Sequence, residues 1–246
     1  MTTLVRSCGL MLKWQLLGLR TILPFIAVVQ LLIACGTVYG FGYFYPQVDA
    51  LSARYIVTGA TTMTLITLGL VLVPQNVAQM KARETFDYLW SLPVPRAVFL
   101  LTDFTVWTAV VIPGVVLALV LGAARYHFSL QVSWLAGPAF LLVALTAVAV
   151  GMAIAHLSPS PVLTGVVTNV IIFSLFLFSP VNFPLQRLPM GLQYVHRVLP
   201  VKYMADVVRG TLTGTPAADL ALPFAAVGVW ALVSFALLYR IFTRRG

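Results

Sequence analysis

Six apolar stretches, each about as long as a bilayer is thick, limit the folds open to this sequence. They are predicted to be helices at 22–44, 55–79, 98–122, 134–156, 161–180 and 220–242. One crossing of the hydrocarbon core needs about 20 apolar residues. With 61% hydrophobic residues, the chain has more apolar surface than a single water-soluble core can bury. The sequence therefore predicts an all-α membrane protein with six transmembrane helices in a single transmembrane domain, 1–246.

Basic residues at the ends of these stretches predict the orientation of the chain. Nine lysines and arginines fall on the side of the two termini and six on the opposite side. Cytoplasmic segments carry the excess of basic residues in membrane proteins. We therefore expect both termini in the cytoplasm. The net charge of +9 reflects this topology and does not indicate a nucleic-acid partner.

The N-terminal segment 3–20 is predicted to be an amphipathic helix that lies on the membrane surface. Arg6, Lys13 and Arg20 recur every seven residues, which places three cations on one helical face. A basic amphipathic helix binds the interface of an anionic leaflet. The alternative is an ordinary basic flank of the first transmembrane helix.

A long segment, 180–219, separates the fifth and sixth apolar stretches and is called the elbow below. Pro189 and Pro200 each suit the first turn of a short helix, where a missing N–H costs nothing. We expect two short outer helices here, re-entrant at the bilayer surface, before the last span. In the second helix Lys202, Asp206 and Arg209 are predicted to share one polar face, and Tyr203 belongs to the apolar face.

Motifs for catalysis or cofactor binding are missing from the sequence. A phosphate-binding loop needs a glycine-rich turn and a lysine followed by Ser or Thr, and none of the three lysines is so placed. The three histidines and two cysteines lack the spacing of a metal site. We therefore predict no catalytic residue, no metal and no cofactor in this chain.

Asp103 is the one carboxylate predicted to lie within a span. A carboxylate at membrane depth is a functional candidate by default. It lies about a turn and a half into its helix, from where it can reach a basic residue at a neighbouring helix end. Three roles are open for it: structural pairing, a direct part in transport, and proton coupling.

Polar and aromatic residues on the second and fifth spans are candidates for the lining of a transport pathway. An amphipathic cargo needs apolar walls with a few hydrogen-bonding groups. The candidates are Thr58, Thr62, Asn76, Thr168, Asn169, Phe173 and Phe176. Packing between helices is the alternative, because small and hydroxyl residues are common at such contacts. Gly151 and Ala155 form a small-xxx-small pair, which we assign to packing.

The segment 81–96 is a charged and aromatic island between two apolar stretches. As a helix over 81–92 it would present an apolar knob and an acidic face, and two prolines would end it. The residues that form the knob and the face are Phe86, Leu89, Trp90, Glu84 and Asp87. Such a helix can dock into a groove of another protein. The alternative is an interfacial helix whose aromatic side chains anchor in lipid.

The stretch RETFDYLWSLPVPR resembles the first cytoplasmic loop of ATP-binding cassette (ABC) type-2 permeases. The residues that carry the resemblance are Leu89, Leu92, Pro93, Val94 and Arg96. A second block, LPVKYMADVVRG, is similar to the family's segment before its last span. Two positions depart from the family pattern: Glu84 stands where glycine is usual, and Asp103 where a basic or polar residue is more usual.

This resemblance implies how the chain would assemble. The helix at 81–92 would be the coupling helix, seated on a separate ATPase subunit, with 3–20 as the connecting helix beside it. The complete unit would contain two ATPase subunits, which bind ATP and Mg, and a second permease, identical or homologous. It would lie among the lipids of a bacterial or archaeal plasma membrane. The residues expected to contact the ATPase are Arg83, Glu84, Phe86, Asp87, Leu89 and Trp90.

The function that the resemblance implies is that of an ATP-driven exporter permease with no ATPase site of its own. The expected cargo is a hydrophobic or amphipathic small molecule, drug-like or lipid-like, as in multidrug efflux, because the predicted lining carries no strong charge. Two other functions are open: a non-transporting membrane scaffold or sensor, and an ion-coupled secondary transporter with Asp103 as its proton site.

Overall fold

The computed structural model describes residues 2–44, 48–85 and 96–244 of the chain. Within these ranges the regular secondary structure is helical, which confirms the all-α prediction. Six helices are long and apolar enough to cross a membrane, as predicted. These first to sixth spans are Leu23–Phe44, Ala50–Ala82, Arg96–Tyr126, Ala136–Leu157, Pro161–Phe178 and Ala217–Arg244.

Among the described residues, three further α-helices and one short 3-10 helix, Leu185–Arg187, lie outside the spans. The N-terminal helix is Thr2–Leu19, and the two elbow helices are Met190–Val198 and Pro200–Leu212. The elbow helices begin directly after Pro189 and at Pro200, where the sequence predicted their starts. Whether they re-enter the bilayer stays a prediction.

Several spans extend beyond the apolar stretches that identified them. The second span begins at Ala50, five residues before its predicted start, because Asp49 caps it. The Asp49 Oδ1 atom accepts a hydrogen bond from the Ser52 N–H at 2.9 Å. The Ser52 side chain and then this N–H hold the pKa of the Asp49 carboxyl below its usual range. Hydropathy detects the part of a helix that suits lipid and misses its polar ends.

The first and second spans each contain a π-helical turn, at Gly36–Gly40 and Leu68–Leu72. In the second span the Val73 N–H donates to the Leu68 carbonyl, five residues back. Pro74 follows at once and lacks an N–H, so the normal α-helical ladder cannot continue through it. Wide turns of this kind are frequently found at functional sites.

The second span is the central helix of the bundle. Within its most apolar window 94% of the residues are buried, against 17% for the fifth span and 22% for the sixth. Its backbone touches the fourth span where Gly69 and Gly151 meet. A Cβ atom at Gly151 would collide with the Gly69 carbonyl oxygen. This confirms the assignment of Gly151 to helix packing, and Ala155 is buried beside it.

The N-terminal helix packs against the third span and buries Met11, Gln15 and Leu19. The three predicted cations are all exposed, as the amphipathic pattern requires. The exposed surface also carries leucines, among them Leu10 and Leu17. Exposed leucines beside exposed cations are what a helix at a bilayer surface presents.

Candidate functional site

The loop between the second and third spans does not begin with the helix start that was predicted at its first residue. A helix was predicted to begin at residue 81, and this is wrong: Lys81 belongs to the second span, which ends at Ala82. Glu84 has a φ of 56°, a left-handed conformation that no α-helix can continue through. Of the predicted coupling residues the structure describes Arg83 and Glu84, and both are exposed. The other four, Phe86, Asp87, Leu89 and Trp90, lie outside the described residues.

The backbone at Glu84 explains why glycine suits this position. A positive φ costs a residue with a Cβ atom about 1 kcal/mol or more, and costs glycine almost nothing. Glu84, the residue that departs from the family pattern, therefore has a backbone conformation that glycine prefers.

We expect Glu84→Gly to stabilise the purified protein by up to about 1 kcal/mol, because the positive φ no longer opposes a side chain. The measurement is thermal unfolding in detergent. Glu84→Ala is the matched control, since it removes the charge but keeps the Cβ atom, and it should give no such gain. Equal gains from both variants would assign the effect to charge and contradict the backbone explanation.

Lys81 ties the end of the second span to the turn between the fourth and fifth spans. Its Nζ atom donates to the Ser158 carbonyl at 2.9 Å. Ser158 directly follows the fourth span, and its own hydroxyl caps that helix by donating to the Ile154 carbonyl. This contact connects the end of the second span to the turn from which the fifth span starts.

A cavity of about 320 Å³ lies beside this loop, between the first three spans. Its polar wall comes from the last turns of the second span and the loop: Gln75, Asn76, Gln79, Arg83 and Thr85. Its apolar wall includes Phe25, Ile26 and Trp107. Aromatic walls with a few hydrogen-bonding groups are typical of sites for amphipathic small molecules. Of the predicted pathway residues, Asn76 lines this cavity.

The remaining pathway candidates are not brought together within one chain. Thr58 and Thr62 are fully buried, and their hydroxyls donate to the Arg54 and Thr58 carbonyls of their own helix at 2.7 and 2.8 Å. This arrangement is that of packing residues. Thr168 is buried as well and accepts a hydrogen bond from Gln75 Nε2 at 3.0 Å, which links the fifth span to the second.

Three candidates on the fifth span point away from the bundle core. Asn169 and Phe173 are exposed, and Phe176 is half-buried. An exposed asparagine in the middle of a transmembrane helix is costly in lipid, because its amide loses water without gaining partners. In a membrane, water or protein therefore has to cover this face of the fifth span.

Asp103 is buried in the third span, 8% exposed. The indole of Trp107, one turn further on, lies beside its carboxyl group, and the Oδ2 atom of Asp103 has no partner among the residues that the structure describes. The expected pairing with a basic residue is not found in those ranges. Trp107 also lines the cavity beside the loop, so it connects Asp103 to that cavity.

The elbow contains the densest polar network of the described chain. Asp206 forms salt bridges with Lys202 Nζ at 2.8 Å and with Arg209 Nη1 at 3.0 Å. These two bridges join the three charged residues that were predicted to share one helical face. The Tyr203 hydroxyl, on the same helix, donates to the Arg197 carbonyl at 2.7 Å. The Tyr203 side chain of the second elbow helix is thus bonded to the backbone of the first.

Arg209 anchors this network to the core of the bundle. Its Nη2 atom donates to the Val181 carbonyl at 2.6 Å, and its guanidinium lies 4.0 Å from the ring centre of Tyr55. Burial lowers the pKa of Arg209, and the neighbouring Asp206 opposes that effect. Sequence reasoning missed Tyr55, and it counted Arg54 as a topology signal alone. In the structure Arg54 donates to the hydroxyls of Thr213 and Thr215 at 2.5 and 3.3 Å.

Comparison with known proteins gives two matches over most of the chain. The family model described as "ABC-2 type transporter" matches residues 9–213. Nodulation protein J of Rhizobium meliloti (strain 1021) is 27% identical over 241 residues, which cover 95% of this chain and 90% of that protein. Both matches include the loop at 83–96 and most or all of the elbow.

Proposed function

Because this chain belongs to the ABC-2 type transporter family, and is thus a membrane subunit of an ABC transporter, we propose that it is the permease of an ATP-driven exporter. The family's permeases work with a separate ABC ATPase and are not ATPases themselves. The proposed cargo is a hydrophobic or amphipathic small molecule, drug-like or lipid-like. Energy would come from the ATPase partner, which binds ATP and Mg.

The observation that carries this proposal is the cavity beside the loop. Five polar residues of its wall lie on the last turns of the second span and at the start of the loop. The same helix is the buried centre of the bundle and is tied through Lys81 to the fourth span. A push on the loop would therefore change the shape of this cavity, which is what coupling of ATP hydrolysis to cargo movement needs.

The exposed fifth-span face supports a second permease as the next partner. Asn169 and Phe173 need a covering surface, and a second chain, identical or homologous, would supply it. We further propose that two ATPase subunits complete the unit. The predicted cytoplasmic location of both termini would place the loop on the ATPase side of a bacterial or archaeal plasma membrane.

The test replaces Phe86 and Leu89 together by alanine. We expect transport of a fluorescent hydrophobic dye into inside-out proteoliposomes to fall at least about tenfold, because two apolar anchors of a protein interface are lost. The sample is the permease copurified with its ATPase, and ATP hydrolysis is measured in parallel. Leu222→Ala, an exposed leucine at the start of the sixth span, is the control and should leave transport unchanged.

Two outcomes would contradict the proposal. Unchanged transport in the double variant would remove the role assigned to the loop. Transport that persists without ATP hydrolysis and collapses with the proton gradient would favour the ion-coupled alternative. Asp103, which lies beside Trp107 of the cavity wall, would then be its proton site.

A further inference from the structure

The elbow encloses a cavity of about 390 Å³ with an excess of positive charge. Three cations line it, Arg197, Lys202 and Arg209, against one carboxylate, Asp206. Asp206 is shared between Lys202 and Arg209, so it cannot balance both, and Arg197 adds a further charge. Tyr55 and Gln186 complete the polar wall. Such a cavity favours an anion.

Arg209 supplies a fixed positive charge to the wall of this cavity. It is only 6% exposed. Its Nη1 atom donates to the Asp206 carboxylate and its Nη2 atom to the Val181 carbonyl. Its Nε atom is buried and has no hydrogen-bond partner among the described residues. Because the Nε atom exposes almost no surface, Arg209 acts on a ligand through its charge, while Arg197 and Lys202 supply the accessible donors.

A second cavity, of about 380 Å³, lies on the other side of the first elbow helix. Leu192 and Val195 of that helix face it, together with Ile171 and Phe178 of the fifth span and Trp230 of the sixth. At 100° per residue, these two elbow side chains point roughly 140–160° away from Arg197. One helix thus separates a cationic cavity from an apolar one.

The first elbow helix also has the features of a helix that lies at a membrane surface. Met190 and Val198 are 72% and 69% exposed, which places apolar side chains where lipid can cover them. The indole N–H of Trp230 donates to the Val198 carbonyl at 3.1 Å. Tryptophan at this position is typical of the level at which lipid headgroups lie.

We propose that the elbow binds an anionic amphiphile, with a phosphate-type headgroup in the cationic cavity and an acyl chain in the apolar cavity. The ligand is a membrane lipid or a lipid-like molecule of the same chemistry. Arg197 and Lys202 attract the headgroup, and the buried Arg209 adds its positive charge to theirs. This site stands independently of the coupling loop and of ATP.

The experiment measures binding to the purified full-length chain in a nonionic detergent, by thermophoresis. The probes are short-chain phosphatidylglycerol, phosphatidylcholine with the same chains, and inorganic phosphate. We expect phosphatidylglycerol to bind at least about tenfold more tightly than either of the others, since it alone offers both a net negative charge and a chain.

Two variants separate the halves of the site. Arg197→Gln with Lys202→Gln should weaken phosphatidylglycerol at least about tenfold and weaken phosphatidylcholine much less, because choline already balances the phosphate of that lipid. Leu192→Trp, which fills the apolar cavity, should weaken both lipids. Arg125→Gln, an exposed arginine at the end of the third span, is the matched control and should change nothing. Because Arg197 is exposed, its single substitution to glutamine repeats the charge test without risk to folding.

Equal binding of the two lipids, or a charge variant that binds phosphatidylglycerol as the unchanged protein does, would overturn the proposal. Inorganic phosphate that binds as tightly as phosphatidylglycerol would also overturn it, in favour of a free anion. None of these measurements involves ATP or the ATPase, so a failure here is distinguishable from a failure of the proposed export function.

Discussion

Replacing Gly151 by alanine is expected to destabilise the folded protein by about 1–3 kcal/mol, the range for overpacking a tight core. The added Cβ atom would collide with the Gly69 carbonyl oxygen and lie 3.0 Å from Pro74 Cδ. Backbone atoms cannot move aside as a flexible side chain can, so the second and fourth spans must separate. Thermal unfolding in detergent and the fraction of monodisperse protein after size exclusion measure the effect.

Gly228→Ala is the matched control for that experiment. Gly228 also lies within a spanning helix, the sixth, but a Cβ atom there would meet no neighbour within 4 Å. Alanine has the higher helix propensity, by up to about 1 kcal/mol, so this change should be neutral or stabilising. A Gly151→Ala protein as stable as the Gly228→Ala protein would show that the two spans do not approach as closely as the structure places them.

Arg209→Met is expected to cost roughly 3 kcal/mol of folding free energy, the lower end of the range for breaking a buried ion pair. The substitution removes both hydrogen bonds of the guanidinium and its contact with the Tyr55 ring. The Val181 carbonyl then loses its charged donor in a segment that is fully buried. Asp206 keeps Lys202, which limits the loss.

The control for Arg209 is Arg197→Met in the same elbow. Arg197 is exposed and contacts the Tyr194 ring at 5.3 Å, so its loss should change stability by less than about 1 kcal/mol. Unfolding temperature and resistance to limited proteolysis compare the two variants. If the two arginine variants were equally stable, Arg209 would not anchor the elbow to the second span.

The number of spans and the starts of the elbow helices could be predicted from the sequence alone. Bilayer thickness sets the length of each apolar stretch, so six spans could be counted without any contact between them. The starts of the elbow helices followed from two prolines, because proline acts on its own backbone. The three charged residues of the second elbow helix were predicted to share a face, since helical spacing is local.

The tertiary structure decided which of the polar residues can act. Thr58 and Asn169 look alike as pathway candidates, yet one is buried against its own helix and the other is exposed. The partnership of Arg209 with Tyr55 joins residues 154 positions apart in the chain. The two elbow cavities arise from several segments at once. Each of these depends on contacts between distant parts of the chain, and helical periodicity carries no information about such contacts.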